Sequence, residues 1–248
     1  MHPYILLDAG GTILFPDFAL LRRLLLPHGV DASEEQIRRV AVEWTWQLDQ
    51  ALKSHAPVSS LGFLHDLSAR LGVPHPRIPA LVAQLQALDA QSSLWATTFP
   101  WVRESLQRLR LQGFRMSVIS NADGRVRQQL EQAGIMQYLE QVFDSHVVGY
   151  EKPDVRLFEH ALRVLGLQRE DCLYVGDVYY IDMLGANRAG IAAVHLDAYG
   201  LYAGWPGCHI RDIAQLPDLL ISDGLELSSD LFLPLRSAQT VLSQEPTR

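Results

Sequence analysis

Four short apolar runs, each stopped by polar or glycine residues, constrain this chain more than any other feature. They are Tyr4 to Leu7, Arg115 to Ile119, Cys172 to Val175 and Ala192 to Leu196, with a weaker one at Tyr138 to Val148. Continuous apolar runs of this length suit strands buried on both faces, as in a parallel sheet. Between them, helix-period stretches occupy Val102 to Leu111, Gly124 to Ala133, Val155 to Leu165 and Asp182 to Ala189. Strand alternating with helix predicts an α/β fold: a doubly wound, Rossmann-like parallel sheet with helices on both faces.

One block breaks the alternation. Ser33-Glu34-Glu35-Gln36 has the form of a capping box and opens a helix predicted to reach Ser54. The 3.6-residue period continues over Ser60 to Leu71 and Arg77 to Leu88, separated by Gly- and Pro-containing turns. Residues 16–96 therefore read as an all-helical insertion after the first strand, residues 1–15 and 97–222 as the sheet domain, and residues 223–248 as a tail.

Composition narrows the partners. A net charge of −7 and no basic stripe argue against nucleic acid or an anionic membrane surface. The longest apolar stretch, Ala19 to Pro27, carries Arg22-Arg23 and is too short to span a bilayer. The chain enters its first strand directly, with no basic segment before it. Two cysteines, Cys172 and Cys208, do not make a disulfide framework. The expected setting is cytoplasmic, and the expected assembly a monomer or homodimer.

Chemistry concentrates at the C-terminal ends of the predicted strands, the edge where open α/β sheets bind ligands. Asp8 follows the first strand and precedes Gly10-Gly11-Thr12; it can act as a nucleophile or a metal ligand, and the glycines let the backbone approach an anion. Ser120-Asn121 follow the second strand, with a hydroxyl and backbone N–H groups suited to a phosphate oxygen. Lys152, one of only two lysines, offers positive charge ahead of Pro153 and a helix. Asp177 and Asp182 straddle a strand-to-helix turn, and two such carboxylates can face one oxygen-liganded cation. Each element also has an ordinary structural reading, as a cap, a turn or a solvated charge. Their order is more telling.

Asp8-x-x-Gly11-Thr12, then Ser120-Asn121, then Lys152-Pro153, then Gly176-Asp177-x-x-x-x-Asp182 and Gly185-Ala186-Asn187-Arg188-Ala189-Gly190 resembles the haloacid dehalogenase-like (HAD) hydrolase superfamily. The resemblance extends over roughly residues 4–220, and the helical insertion looks like that family's C1-type cap. It implies that Asp8 attacks phosphorus to form an aspartyl-phosphate, which water hydrolyses. Ser120 and Lys152 would hold the phosphoryl group of a small phosphorylated substrate, with Gly11, Thr12 and Asn121 beside it. Mg²⁺ would sit between Asp8, the carbonyl of Gly10 and Asp177, with Asp182 ligating through water or orienting Lys152. An anionic nucleophile and an anionic phosphate repel, so the site needs such positive charge.

One position departs from the family pattern. Its phosphatases carry a second Asp two residues after the nucleophile, as general acid and base; here that residue is Gly10. General acid–base help is worth about 10²–10⁴ in rate. The departure leaves a phosphatase whose substrate has a good leaving group or whose acid comes from elsewhere. It also leaves a phosphonatase-like carbon–phosphorus hydrolase using Lys53, or a phosphate-binding regulatory protein of this fold. Carbon–halogen cleavage is disfavoured by the metal-type carboxylate pair, and a sugar-kinase-like phosphate loop by the helical block that follows it. His195 reads as a satisfied core histidine. Trp44 and Trp46, two apart on a helix, point in different directions. Hinges for an opening cap are expected near Phe15-Pro16 and Thr98-Pro100.

Overall fold

The computed structural model describes residues 3–57, 61–92 and 94–222. The predicted tail, residues 223–248, and the predicted helix start at Ser60 lie outside the described residues. Six strands form one parallel sheet: β1 (Tyr4–Leu7), β2 (Met116–Ser120), β3 (Val142–Asp144), β4 (Cys172–Gly176), β5 (Ala192–Leu196) and β6 (Cys208–Ile210), in the order β3-β2-β1-β4-β5-β6. The order reverses direction between β1 and β4. At such a switch point the loops leaving the two strands diverge and open a crevice.

Successive strand residues face opposite sides, so the central strands supply two cores. Ile5, Leu7, Val118, Leu173, Val175 and Val194 pack on one side, and Tyr4, Leu6, Ile119, Tyr174 and Ala193 on the other. This explains why these strands read as unbroken apolar runs.

Between β1 and β2 the chain forms α1 (Phe18–Leu25), α2 (Glu34–Ser54), α3 (Phe63–Arg70) and α4 (Ile78–Ser92), and no strand among the described residues. These helices share a third core that includes Leu21, Ile37, Leu67, Ile78 and Leu81. The capping box forms as expected: Ser33 Oγ accepts from Gln36 N at 3.2 Å, and Gln36 Oε1 accepts from Ser33 N at 2.7 Å. Two chain crossings join the helical block to the sheet, and they are tied together. Phe15 N donates to Thr97 O at 2.9 Å, and Thr97 Oγ1 donates to Phe15 O at 2.8 Å. Thr98 Oγ1 anchors the return to Ile13 O at 2.8 Å.

The remaining helices are α5 (Pro100–Leu111), α6 (Val126–Gln132), α7 (Ser145–Val148), α8 (Val155–Leu165), α9 (Leu184–Arg188) and α10 (Leu216–Ser222). Two expectations need correction, and one strand was not expected. The weak apolar run at Tyr138 to Val148 yields only the three-residue β3, because Asp144 caps α7 by accepting from His146 N. The helix expected from Asp182 begins at Leu184, and Asp182 lies in a π-helical turn, Tyr179–Met183. Edge strand β6 has too short and mixed a sequence, Cys-His-Ile, to register as a strand. Among the described residues no helix is long and apolar enough to cross a membrane.

Candidate active site

Asp8 follows β1 with its backbone N–H bonded to Val175 O at 2.8 Å, which ties the first and fourth strand ends together. The chain then coils tightly, with Ile13 N and Leu14 N both returning to Ala9 O at 2.9 and 2.8 Å. Gly11 sits in this coil at φ +79°, the left-handed region. A Cβ there would lie 2.1 Å from Asp177 Oδ2, so glycine is required both by the turn and by the carboxylate beside it.

Lys152 arrives from the loop after α7 and is buried among the carboxylates. Its Nζ donates to Asp8 Oδ1 at 2.6 Å, Asp182 Oδ1 at 2.7 Å and Tyr174 OH at 2.8 Å. Asn121 brackets the lysine's main chain, accepting from Lys152 N at 2.7 Å and donating to Lys152 O at 2.9 Å. Both polar ends of the Asn121 side chain are thus engaged by the Lys152 main chain. Asp182 is fully buried, and its Oδ2 accepts from Val178 N at 2.9 Å.

Ligand oxygens of Asp8, Asp177 and Asp182 all lie within 4.8 Å of one another. Burial pushes the Asp8 carboxyl up to about 6, offset by the Lys152 ammonium and reinforced by Asp182. Asp177 is held well above the usual carboxylate range by burial and then by Asp8 and Asp182. Burial lowers the Lys152 ammonium, but the two carboxylates more than offset this and the net shift is upward. Three carboxylates facing one lysine leave an excess of negative charge, and Asp177 Oδ1 is buried without a hydrogen-bond partner. Oxygen donors, excess negative charge and an orphaned carboxylate oxygen suit a divalent cation.

Two cavities meet at Gly10 and Trp95. One, about 460 Å³, is lined by Ser120, Asn121, Arg125, Asp89 and Glu151 as well as Ala9 and Gly10. The other, about 330 Å³, has Gly10, Gly11, Thr12 and Asp177 on one side and aromatic residues of the helical block on the other. Ser120 is buried at the end of β2, and Thr12 is buried with its Oγ1 unpartnered. Asp8, Gly10, Gly11, Thr12, Ser120, Asn121, Lys152, Asp177 and Asp182 lie together at this one sheet edge.

Lys53 does not join them. It is exposed at the end of α2, with Nζ 4.3 Å from the centroid of the Trp205 ring, and lines neither cavity. His195 is fully buried and satisfied, its Nε2 3.0 Å from Asp177 O and its Nδ1 3.0 Å from His209 Nδ1. Burial, and then His209, lower it to about 4. Trp44 faces the aromatic cavity, whereas Trp46 packs against the sheet domain's second core.

Sequence reasoning missed two residues here. Tyr174 looks like core in an apolar strand, yet its hydroxyl touches Lys152. Asp49 lies fully buried on α2 and accepts from Tyr179 N and Tyr180 N, both at 2.8 Å, and from Tyr202 OH at 2.6 Å. It joins the helical block to the turn that follows Asp177. Its position on the inward face of α2 was the one available signal.

Residues 3–190 match a family of hydrolases described as haloacid dehalogenase-like hydrolase. Glyceraldehyde 3-phosphate phosphatase from Methanothermobacter thermautotrophicus is 34% identical over 135 residues, which are 49% of this chain and 58% of that protein, under two thirds of its length. The glyceraldehyde 3-phosphate phosphatase of Methanopyrus kandleri is 31% identical over 203 residues, 77% of this chain and 82% of that protein. Among solved structures, a HAD phosphatase from Thermococcus onnurineus superposes with a TM-score of 0.57 at 20% identity, covering 91% of this chain and 100% of the other. That last likeness is one of fold.

Proposed function

Because the chain belongs to the haloacid dehalogenase-like hydrolase family, we propose that it is a phosphatase of small phosphorylated metabolites, working through an aspartyl-phosphate on Asp8. The observation that carries this reading is the junction of Asp8, Lys152 and Asp177 at the switch point, with the Asp8 carboxyl held against the buried Lys152 side chain. The named activities of the two relatives, both phosphatases, support it.

In this reading residues 16–96 are a C1-type cap over a core of residues 1–15 and 97–222. Asp8 attacks phosphorus in line with the leaving oxygen. Ser120 and Lys152 bind the phosphoryl oxygens, with the Gly11-Thr12 loop beside them, and Asn121 positions Lys152. Asp8, the carbonyl of Gly10 and Asp177 would hold Mg²⁺, with Asp182 fixing the lysine and closing the ligand shell. The ion, when bound, neutralises charge between the nucleophile and the phosphoryl group. Gly10 carries no proton donor, so the leaving group departs without acid help from that position.

The test is hydrolysis of p-nitrophenyl phosphate with and without Mg²⁺, by the wild type and by Asp8→Asn. Mg²⁺-dependent turnover that Asp8→Asn lowers by about 10³-fold or more is expected. Turnover equal to that of Asp8→Asn, or absent with Mg²⁺, overturns the reading.

A further inference from the structure

Trp95, just before the chain returns to the sheet, covers the place where this chain lacks its acid. A Cβ built on Gly10 would lie 3.7 Å from Trp95 Cζ3, so the space a side chain there would enter is bounded by the indole. Trp95 continues an aromatic wall: its ring centroid lies 5.5 Å from that of Phe63, which lies 5.2 Å edge-on from Trp44. Phe15, Phe18 and Trp101 also line the 330 Å³ cavity, Gly10, Gly11 and Asp177 border it, and Arg38, Arg211 and Asp212 are its other charged lining residues. Asp8 lines neither cavity; the link to it is Asp177, whose carboxylate lies within 4.8 Å of an Asp8 ligand oxygen.

From these two features, an absent acid and an aromatic wall in the same place, we propose that the cavity is the leaving-group site. It takes an aromatic ring, so that the substrates are phosphate monoesters of phenol-type alcohols. The inference rests on the phosphatase reading above and narrows it. Each feature asks for the same chemistry. An alkoxide is about as basic as hydroxide, whose conjugate acid has a pKa of about 16, and it leaves poorly without a proton. A phenolate, with a conjugate-acid pKa of about 10, departs unaided far more readily. A ring also finds edge-on and stacked partners among Trp95, Phe63 and Trp44, which a short polar chain does not. The volume is that of a small-ligand pocket. The neighbouring 460 Å³ recess holds Ser120 and is walled by Asp89, Asp123, Glu151 and an Arg125 already paired with both aspartates, so it is the more polar of the two.

The step balances without an acid at position 10. An Asp8 carboxylate oxygen forms a bond to phosphorus as the phosphorus–aryl oxygen bond breaks, and the electron pair leaves on the phenolate, which takes a proton from water on release. Water then forms a bond to phosphorus as the Asp8 oxygen departs, and the proton it sheds passes to solvent, replacing the one the phenolate took up. Aryl phosphate plus water gives phenol plus inorganic phosphate.

The test is calorimetric titration of the full chain in Mg²⁺ with phenylphosphonate, methylphosphonate and inorganic phosphate, none of which carries a hydrolysable ester. Phenylphosphonate is expected to bind about tenfold or more tightly than methylphosphonate. Trp44→Ala, and the milder Phe63→Leu as a second variant, should reduce that preference while inorganic phosphate binds as in the wild type. In kinetics, kcat/KM for phenyl phosphate should exceed that for glyceraldehyde 3-phosphate. Equal affinity for the two phosphonates, with p-nitrophenyl phosphate still hydrolysed, overturns the aromatic site and leaves the phosphatase reading standing. Failure to bind any of the three ligands, with no turnover, overturns both.

Discussion

Replacing Asp177 with asparagine should make the metal-free protein more stable and the enzyme inactive. The three carboxylates lie within 4.8 Å of one another. At an effective dielectric of about 20, two like charges at that distance repel by about 3–4 kcal/mol. Asp177 faces two such neighbours, Asp8 and Asp182, and Lys152 offsets roughly one of them. The residue is only partly buried and its raised carboxyl can take up a proton, so the remainder is trimmed, and a gain of about 1–3 kcal/mol is expected from Asp177→Asn. In a domain of this size that is about 3–9 °C in Tm. The assay is urea or thermal unfolding at pH 7.5, in EDTA and again in Mg²⁺. The wild type should gain about 2.7 kcal/mol when Mg²⁺ reaches a hundred times its Kd, while the variant gains little. The reasoning is refuted if Asp177→Asn is less stable than the wild type in EDTA, or if Mg²⁺ stabilises both alike.

Gly11→Ala should abolish Mg²⁺-dependent stabilisation and lower kcat by about 10²-fold or more, because its methyl would displace Asp177 and strain the turn by about 1–2 kcal/mol; normal turnover in that variant would contradict the close approach. Asn121→Ala removes both bonds that frame the Lys152 main chain, and should lower kcat about tenfold or more while costing about 1–3 kcal/mol in urea unfolding. An unchanged kcat would deny Asn121 its positioning role. His195, lowered to about 4 in the folded state from its ordinary 6.5, contributes stability that is present above pH 6.5 and lost as pH falls toward 4. Between pH 7 and pH 5 that loss is about 2 kcal/mol. His195→Gln should unfold in urea with that part of the pH dependence missing; the same slope in both proteins would show that His195 titrates normally.

Much of this site is legible in the linear sequence because its residues sit where strands end. Asp8, Ser120, Lys152 and Asp177 each follow an apolar run or precede a helix, and a parallel sheet brings all such ends to one edge. The partners that organise them are less legible. Tyr174 is indistinguishable from core until Lys152, 22 residues earlier in the chain, folds against its hydroxyl. Asp49 looks like an ordinary helical carboxylate until α2 docks on the turn at Tyr179, 130 residues away. Trp95 lies in a connecting segment with no periodicity to reveal which way its ring points. The short elements β3 and β6 and the π-helical turn at Tyr179 are set by tertiary contacts and caps, and local propensity does not announce them.

The central claim is that Asp8 carries the phosphoryl group during turnover. The most direct measurement is to quench the reaction in acid during steady turnover of p-nitrophenyl phosphate with Mg²⁺, reduce with borohydride and map the peptides by mass spectrometry. An aspartyl-phosphate is reduced to homoserine, so homoserine should appear at position 8 only when substrate and Mg²⁺ are both present. Turnover with Asp8 unmodified, or with the modification on another carboxylate, would contradict the account.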